Sequence, residues 1–429
     1  MAEWLWETTS KMTETPLAEF TENKIVRQKR IAFALVFILA LTLRLFAVIY
    51  FPAKLVADPA DYHRLATNLA VDHRYIAPDG SPTAWRPPGY PFFLAGIYSI
   101  AGANVFMACL IQAILGGLTV LAVMCLAMAV LNQKVAIVSG VIAALYPGLI
   151  YLPRLLLSEN LAILLLLLSA LAAVRVMRSG GWKLQVLLGV LLGLSALVRG
   201  ANLITAALLL GLILLAKWRA EGFAKAFRCV LPVMLATVFT LTPWVIRNYV
   251  VFHRLAPLTA QDGITLYASY WPPRVGSKPI WGNLPGEEDP AVAAAFRTGD
   301  EMAVSEYLKR ETINRLKVEP LYFFRLWPSK LISLLAPFDW ETFPHPPGAA
   351  RSFNWGYVLI LLPAALGALI IFRNPIPRKW VLLALPASVL IQSLIFYGSP
   401  RFRLTAEPIV IILAAAGISR LNQTNQDLI

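Results

Sequence analysis

Residues 27–51 read RQKRIAFALVFILALTLRLFAVIYF, a basic cluster followed by an apolar run that ends at Phe51. An apolar helix of about 20 residues is long enough to cross the ~30 Å hydrocarbon core of a bilayer. Further Leu-rich and Ala-rich runs follow along the 429 residues, of which only 14% are charged, and the mean hydropathy is +0.65. Barrel strands would be shorter and would alternate. The sequence therefore predicts an all-α integral membrane protein, a polytopic helical bundle.

Basic residues beside the apolar runs predict the orientation of the chain. Cytoplasmic flanks of membrane spans carry an excess of Lys and Arg, which places residues 1–30 inside as an N-terminal tail. If each remaining basic cluster is also cytoplasmic, the apolar runs between them give about ten spans in a membrane domain of residues 31–420. A cytoplasmic tail, residues 421–429, follows. These clusters lie at residues 175–183, 217–228 and 373–379.

This orientation leaves two long loops outside, residues 52–91 and 249–326. We expect the outer face to carry short interfacial helices, because its amphipathic stretches are too polar to span a bilayer. One is predicted over 60–71, and an interfacial or re-entrant helix over 321–337, where Pro328 interrupts the apolar run. A further helix is predicted over 290–318, within the long soluble stretch.

Composition excludes several classes of protein and site. The formal net charge is +14, but the basic residues lie beside apolar runs, so anionic lipid rather than nucleic acid is the expected partner. The three cysteines fall within apolar runs, which predicts no disulfide framework. The four histidines lack the spacing of metal ligands, and no Gly-rich phosphate loop precedes a helix. No metal site or other cofactor is predicted, although Asp58, Asp61 and Glu159 offer the oxygen ligands that a hard divalent cation accepts.

The leading candidate site is the polar stretch from Asp58 to Pro91. It begins with two carboxylates, Asp58 and Asp61, on one face of a predicted helix, and it closes with the rigid sequence TAWRPPGYP at 83–91. Charged groups at a membrane surface are costly unless they have a function. We therefore expect Asp58, Asp61 and Arg86 to belong to a functional site.

A set of arginines on the outer side opposes the usual bias of positive charge toward the cytoplasm. A guanidinium group binds phosphate through two parallel hydrogen bonds, so a phosphate or pyrophosphate outside would explain the set. Contact with lipid headgroups or helix capping is the alternative, preferred for Arg154, Arg199 and Arg254. Arg401 and Arg403 alternate, which would direct both at one neighbour. The set comprises Arg86, Arg154, Arg199, Arg247, Arg254, Arg401 and Arg403.

Glu159 is a second candidate acid, at the outer start of a span. It follows Ser158, and this pair also suits ordinary N-terminal capping of a helix, so both interpretations remain open. Two outer carboxylates in different surroundings, facing several arginines, suit a transfer reaction with one base and an anionic leaving group.

Three stretches resemble the polytopic C-type glycosyltransferases, in the bacterial group related to glycosyltransferase family 39 and the aminoarabinose transferases. The first is the acidic residue before Tyr62, with Leu65-Ala66 and WRPPGYP at 85–91. The others are PW with RNY at 243–249, and PRFRL with EP at 400–408. The resemblance covers most of residues 30–420.

This resemblance implies a transferase in the bacterial cytoplasmic membrane that uses a polyprenyl-phosphate sugar, with its active site between the outer loops and the membrane. It implies that Asp58, or alternatively Asp61, deprotonates a lipid, glycan or protein acceptor, and that Glu159 is the second acid. Loop 249–326 matches no motif and is expected to shape the acceptor site. The residues implied to bind the lipid phosphate are Arg86, Arg247, Arg401 and Arg403.

Three other functions suit parts of the sequence less well or equally well. A transporter or flippase of lipid-linked sugars would place ionisable residues near the midplane and carry matched broken helices, whereas the charges here lie at span ends and no repeat is visible. A glycan ligase or polymerase with a lipid-pyrophosphate donor needs nearly the same residues, so only substrate assays separate it. A non-catalytic scaffold leaves the outer arginines unexplained.

Overall fold

The computed structural model describes residues 16–254, 258–270, 300–337, 353–376 and 378–424. These ranges are helical and contain no strand, only one isolated antiparallel bridge between Ile76 and Pro82. The predicted all-α fold class is confirmed. In chain order the helices are α1 (Pro16–Tyr50), α2 (Asp58–Asp72), α3 (Gly89–Ala101), α4 (Val105–Val130), α5 (Gln133–Leu145), α6 (Pro147–Tyr151), α7 (Glu159–Ser179), α8 (Trp182–Val198), α9 (Asn202–Glu221), α10 (Phe223–Phe252), α11 (Gln261–Ser269), α12 (Glu301–Val318), α13 (Pro320–Arg325), α14 (Trp327–Leu335), α15 (Trp355–Arg373), α16 (Val381–Ile395), α17 (Pro400–Arg403) and α18 (Glu407–Thr424).

The chain is a multi-pass membrane protein. In the part of the chain that the structure describes, six helices are long and apolar enough to span a membrane, namely α1, α4, α7, α9, α10 and α15. The bent pair α5 and α6, with its following turn, makes up to seven. The apolar helices α3, α8 and α16 are shorter. The prediction of about ten spans counts α8, α16 and α18 as spans and does not foresee α3.

Two helices begin earlier than the sequence pattern marks them. Helix α1 begins at Pro16, before the apolar run at Ile31, so residues 16–30 of the predicted tail are helical. Helix α2 begins at Asp58 rather than at residue 60, because Pro59 has the backbone geometry of a first helical turn and the carboxylates favour a helix N-terminus.

The predicted outer loop 249–326, called here the second outer segment, is largely helical where it is described. Helix α12 begins after Asp300, whose carboxylate accepts from the N–H groups of Met302 and Ala303; the rest of the predicted helix, before residue 300, lies outside the described residues. The predicted helix over 321–337 appears as α13 and α14, which meet at Leu326 immediately before Trp327-Pro328. The two tails were predicted at 1–30 and 421–429; residues 1–15 and 425–429 also lie outside the described residues.

The seventh candidate span bends by 60° between α5 and α6. Pro147 has no N–H to donate to the carbonyl of Ala143, which is therefore left open at the bend. The buried guanidinium of Arg44 in α1 donates to the carbonyl oxygens of Ala143 at 3.1 Å and Ala144 at 3.4 Å. Arg44 thus stabilises the bend that directs the chain toward Glu159.

Small residues allow close packing in the membrane core. A Cβ atom at Gly367 of α15 would lie 1.8 Å from the carbonyl oxygen of Leu413 in α18, and one at Gly417 would lie 2.2 Å from that of Pro363. Without a hydrophobic driving force between helices in lipid, such close backbone contact is a main source of association. Helix α18 is thereby fixed in the core, and the short helix α17 precedes its first turn.

Candidate active site

Arg86 brings the two carboxylates of the first outer loop together. Its Nη2 atom donates to Oδ1 of Asp58 at 2.5 Å and to Oδ2 of Asp61 at 2.8 Å. The guanidinium is buried, and its carbon lies 5.4 Å from the centre of the Tyr62 ring. The structure therefore groups the three residues that the sequence selected from this loop.

Arg401 connects this loop to the membrane core. Helix α17 carries it, with Ser399 as the cap that accepts from the Arg401 N–H at 3.2 Å. Its Nη1 atom donates to Oδ2 of Asp58 at 2.5 Å, Nε donates to Glu159, and Nη2 lies 3.2 Å from the second oxygen of Glu159. One guanidinium group thus bridges carboxylates from two distant segments of the chain.

Glu159 is completely buried at the first turn of α7. Besides Arg401 it contacts Arg199, whose Nη1 lies 2.5 Å from its carboxylate. Arg199 is the C-terminal cap residue of α8, which fits the capping alternative, but its side chain pairs with Glu159 and not with lipid headgroups. Helices α7 and α8 run consecutively in opposite directions, so the end of α8 returns to the level of Glu159. This topology was the available signal for placing Arg199 in the site.

We call these six groups the ion cluster: Asp58, Asp61, Arg86, Glu159, Arg199 and Arg401. Burial alone would raise the pKa of Asp58, but the positive charges of Arg401 and Arg86 outweigh burial and hold that pKa well below its usual range. Burial would lower the pKa of Arg401 and of Arg86, but the neighbouring carboxylates raise both above the ordinary value. Asp58, Arg86 and Arg401 are therefore ionised at neutral pH.

Arg247 lies apart from the ion cluster. Its guanidinium donates to the carbonyl oxygens of Thr83 at 2.8 Å and Tyr75 at 3.2 Å, and its carbon lies 4.9 Å from the centre of the Trp244 ring. These contacts connect α10 to the backbone of the first outer loop. In this structure Arg247 positions the loop that carries Arg86.

Arg403 also lies apart. Its Nε donates to Glu407 at 2.8 Å, its Nη1 donates to the carbonyl of Ala336 at 2.8 Å, and its guanidinium carbon lies 3.4 Å from the centre of the Tyr357 ring. Residues two apart on a helix face nearly opposite directions. Because 400–403 is helical, the expectation that Arg401 and Arg403 reach one neighbour is wrong.

The other outer arginines also have protein contacts. The guanidinium carbon of Arg154 lies 5.7 Å from the ring centre of Tyr151, and Arg254 Nη1 lies 2.6 Å from a carboxylate oxygen of Glu306. Neither contact involves the ion cluster.

The second outer segment also holds residues 83–86 through hydrogen bonds. Glu301 accepts from the Thr83 hydroxyl at 2.5 Å and from the Ala84 N–H at 2.9 Å. The Ala260 N–H donates to the Ala84 carbonyl at 2.8 Å, and Gln261 accepts from Arg86 at 3.4 Å. Sequence reasoning missed Glu301 and Gln261, since neither belongs to a recognisable motif.

Removing the Glu301 carboxylate is expected to destabilise this loop. Two hydrogen bonds to a charged acceptor are lost, so Glu301→Ala should lower the free energy of unfolding by about 2 kcal/mol. Thermal unfolding of the purified protein in detergent measures this. Glu306→Ala, on the same helix with an exposed carboxylate paired to Arg254, is the matched control and should remain near wild type. Equal unfolding temperatures for the two variants would contradict the role of Glu301.

The turn before Arg401 packs against α14 without space for a side chain. A Cβ atom at Gly398 would lie 1.8 Å from the carbonyl oxygen of Lys330. The buried Lys330 in turn donates from Nζ to the carbonyls of Leu394 at 3.1 Å and Ile395 at 3.4 Å. Helix α14 thus fixes the end of α16 and the turn that leads to Arg401.

Gly398→Ala is therefore expected to displace this turn, at a cost of roughly 3 kcal/mol or more in stability. The thermal unfolding temperature of the purified variant should fall. Gly96→Ala is the control, because Gly96 lies in α3 and no atom lies within 4 Å of an added Cβ there. A Gly398→Ala protein as stable as the Gly96→Ala protein would show that the packing is not tight.

In the described ranges, no three His, Cys, Asp or Glu residues lie close enough together to bind a metal ion. The carboxylate oxygens of Asp58 and Glu159 point at guanidinium groups instead. As arranged here, these carboxylates do not fit a metal site.

The chain is similar to known proteins in sequence and in fold. Residues 85–246 match the family described as dolichyl-phosphate-mannose-protein mannosyltransferase. The archaeal oligosaccharyltransferase AglB from Archaeoglobus fulgidus, solved with an inhibitory peptide and a dolichol-phosphate, superposes with a TM-score of 0.58 at 15% identity over 94% of this chain and 52% of that one. The chain has the fold of the C-type glycosyltransferases. The predicted resemblance is thereby confirmed.

A second structure of the archaeal enzyme agrees in fold. The Archaeoglobus fulgidus oligosaccharyltransferase tethered to an acceptor peptide gives a TM-score of 0.58 at 13% identity, over 92% of this chain and 50% of that one. ArnT from Cupriavidus metallidurans, bound to undecaprenyl phosphate, is a weaker match, with a TM-score of 0.46 at 14% identity over 90% of this chain and 77% of that one. The chain spans about half the length of the archaeal enzyme. No curated protein matches it in sequence.

Proposed function

We propose that the protein is a glycosyltransferase that moves a sugar from a polyprenyl-phosphate donor to an acceptor at the outer face of a bacterial cytoplasmic membrane. The observation that carries this proposal is the contact of one carboxylate, Asp58, with two guanidinium groups, Arg86 and Arg401, between an outer loop and the ends of the spans. It supplies a proton acceptor next to two groups suited to phosphate. The dolichol-phosphate in the archaeal structure supports the choice of donor.

The chemistry assigns a task to each group. The acceptor hydroxyl or amine loses its proton to Asp58 while its oxygen or nitrogen forms a bond to the anomeric carbon of the sugar. The bond from that carbon to the phosphate oxygen breaks, and the electron pair remains on the phosphate. The leaving polyprenyl phosphate carries one more negative charge than the donor, and Arg86 and Arg401 stabilise it. Asp61, which contacts Arg86 at 2.8 Å, is the alternative base.

The charges at the ends of α7 and α8 farthest from the ion cluster support placing that cluster on the outer side of the membrane. Helix α7 begins with Glu159 in the ion cluster and carries Arg175 and Arg178 near its far end, and α8 begins there with Trp182-Lys183. Positive flanks of spans remain cytoplasmic. The ion cluster therefore belongs on the opposite side, where the second outer segment would bind the acceptor.

Lipid analysis of a strain that lacks the protein tests the function. If the protein consumes a polyprenyl-phosphate sugar, that lipid should accumulate several-fold in the deletion strain and be identified by mass spectrometry. Wild-type protein should restore the level, while Asp58→Asn should not. No accumulating polyprenyl-phosphate sugar, or full restoration by Asp58→Asn, would contradict the proposal. A lipid pyrophosphate accumulating instead would identify the ligase alternative.

A further inference from the structure

Asp58 occupies the place that the proposed donor phosphate needs. One of its oxygens accepts from Arg86 and the other from Arg401, each at 2.5 Å. These are the two arginines that the proposed function assigns to phosphate. A carboxylate and a phosphate offer a guanidinium group the same recognition feature, a pair of charged oxygens. The aspartate and the phosphate are thus competitors for one site.

The charges of the ion cluster already balance. Three carboxylates lie against three guanidinium groups, with Arg64 more distant at 3.9 Å from Asp61. Adding a phosphate anion to a balanced, largely buried cluster leaves uncompensated negative charge, which is costly in a medium of low dielectric constant. One carboxylate must therefore give up its arginine contacts when a phosphate binds.

The structure indicates which carboxylate moves. Glu159 has a side-chain exposure of 0% and lies between Arg199 and Arg401, so it has no path to solvent. Asp58 and Asp61 occupy the first turn of α2 with side-chain exposures of 25% and 37%, and a rotation can carry either toward the outer aqueous side. Of these two, only Asp58 contacts both arginines.

We propose that the donor phosphate displaces Asp58 from Arg86 and Arg401, and that this exchange frees Asp58 to act as the base. The proposal rests on the proposed function and deepens it. A carboxylate held by two guanidinium groups is a weak proton acceptor, because both favour its charged form. Once the phosphate has taken the arginines, the same carboxylate lies beside a negative group, which raises its pKa and makes it a better base. Deprotonation of the acceptor is thereby coupled to the presence of the donor.

The same competition assists release of the product. After transfer, Asp58 holds the proton from the acceptor and the polyprenyl phosphate holds the two arginines. When Asp58 loses that proton to water it again becomes an anion that competes for Arg86 and Arg401. The charged aspartate then favours departure of the lipid phosphate and restores the resting contacts.

Binding of farnesyl phosphate to the purified protein tests the exchange, with farnesol as the uncharged reference. Displacing a carboxylate from charge-assisted hydrogen bonds costs free energy, so Asp58→Asn is expected to bind farnesyl phosphate about tenfold more tightly than wild type. A purely structural role for Asp58 predicts equal or weaker binding. Isothermal titration calorimetry in detergent measures the dissociation constants.

Two further variants sharpen the comparison. Asp61→Asn frees only one contact of Arg86, so a smaller gain in affinity is expected, and this variant serves if Asp58→Asn does not elute as a single monodisperse species. Asp79→Asn removes the same charge from the same outer loop, but Asp79 is exposed and accepts hydrogen bonds from Ser81, so this variant should leave binding unchanged. This control separates the effect of removing any negative charge from the loop from the effect of removing the carboxylate that competes with the phosphate.

The outcomes distinguish this proposal from the proposed function. If wild type prefers farnesyl phosphate to farnesol but neither Asp58→Asn nor Asp61→Asn binds it more tightly, the displacement is overturned and the proposed function stands. If wild type binds the two probes equally, the lipid-phosphate site and the displacement both fail. Tighter binding by Asp79→Asn as well would attribute the effect to loop charge and also overturn the displacement.

Discussion

Asp58→Asn is expected to abolish sugar transfer while leaving the fold intact. The amide keeps the shape of the side chain and can still contact a neighbouring group, but it cannot accept the acceptor's proton. Loss of a general base typically lowers a rate by on the order of 10²- to 10⁴-fold. Turnover of the accumulated lipid-linked sugar by reconstituted protein is the measurement.

Two comparisons make this result specific. Asp79→Asn should transfer at the wild-type rate, because Asp79 lies in the same outer loop but away from the ion cluster. Asp61→Asn should retain more activity than Asp58→Asn, since Asp61 contacts Arg86 but not Arg401. An active Asp58→Asn with an inactive Asp61→Asn would transfer the role of base to Asp61.

Arg401→Lys is expected to lose nearly as much activity as Arg401→Ala, about 100-fold or more. The guanidinium of Arg401 contacts Asp58 through one nitrogen and Glu159 through two others. A lysine keeps the charge, but its single ammonium cannot reproduce a planar fork that serves two partners. Because Glu159 is buried, the lysine variant also leaves part of its charge without a partner.

Transfer rates and monodisperse elution should be measured together for this variant. Arg254→Lys is the matched control, because Arg254 is an outer arginine that pairs with the exposed Glu306 and should tolerate lysine. An Arg401→Lys protein with wild-type turnover would show that a point charge suffices and would contradict the assignment of Arg401 to the phosphate.

The contacts that the sequence predicted best are local. Asp58, Asp61 and Arg86 lie within one loop between two apolar segments, so hydropathy and charge were enough to group them. The all-α fold class could also be predicted, because it follows from the length and composition of the apolar runs. The first residue of α1 could not be predicted in this way, because hydropathy marks the part of a helix that contacts lipid and not the residue at which the helix begins.

The contacts that the sequence did not predict are long-range or depend on backbone conformation. Arg199 and Glu159 approach only because α7 and α8 are antiparallel, and Glu301 reaches Thr83 across more than two hundred residues. The prediction for Arg403 is wrong because alternating residues point at one neighbour only in an extended segment, whereas residues 400–403 form the helix α17. A motif identifies residue types, but the direction of each side chain depends on the helix that carries it.

A structure of the protein in lipid nanodiscs with undecaprenyl phosphate, determined by cryo-electron microscopy, tests the central claim most directly. The account predicts the phosphate within ~3 Å of the guanidinium nitrogens of Arg86 and Arg401, with Asp58 turned away from both. Phosphate bound at Arg247 or Arg403, or at the basic ends of the helices on the opposite side, with Asp58 still in contact with its two arginines, would contradict it.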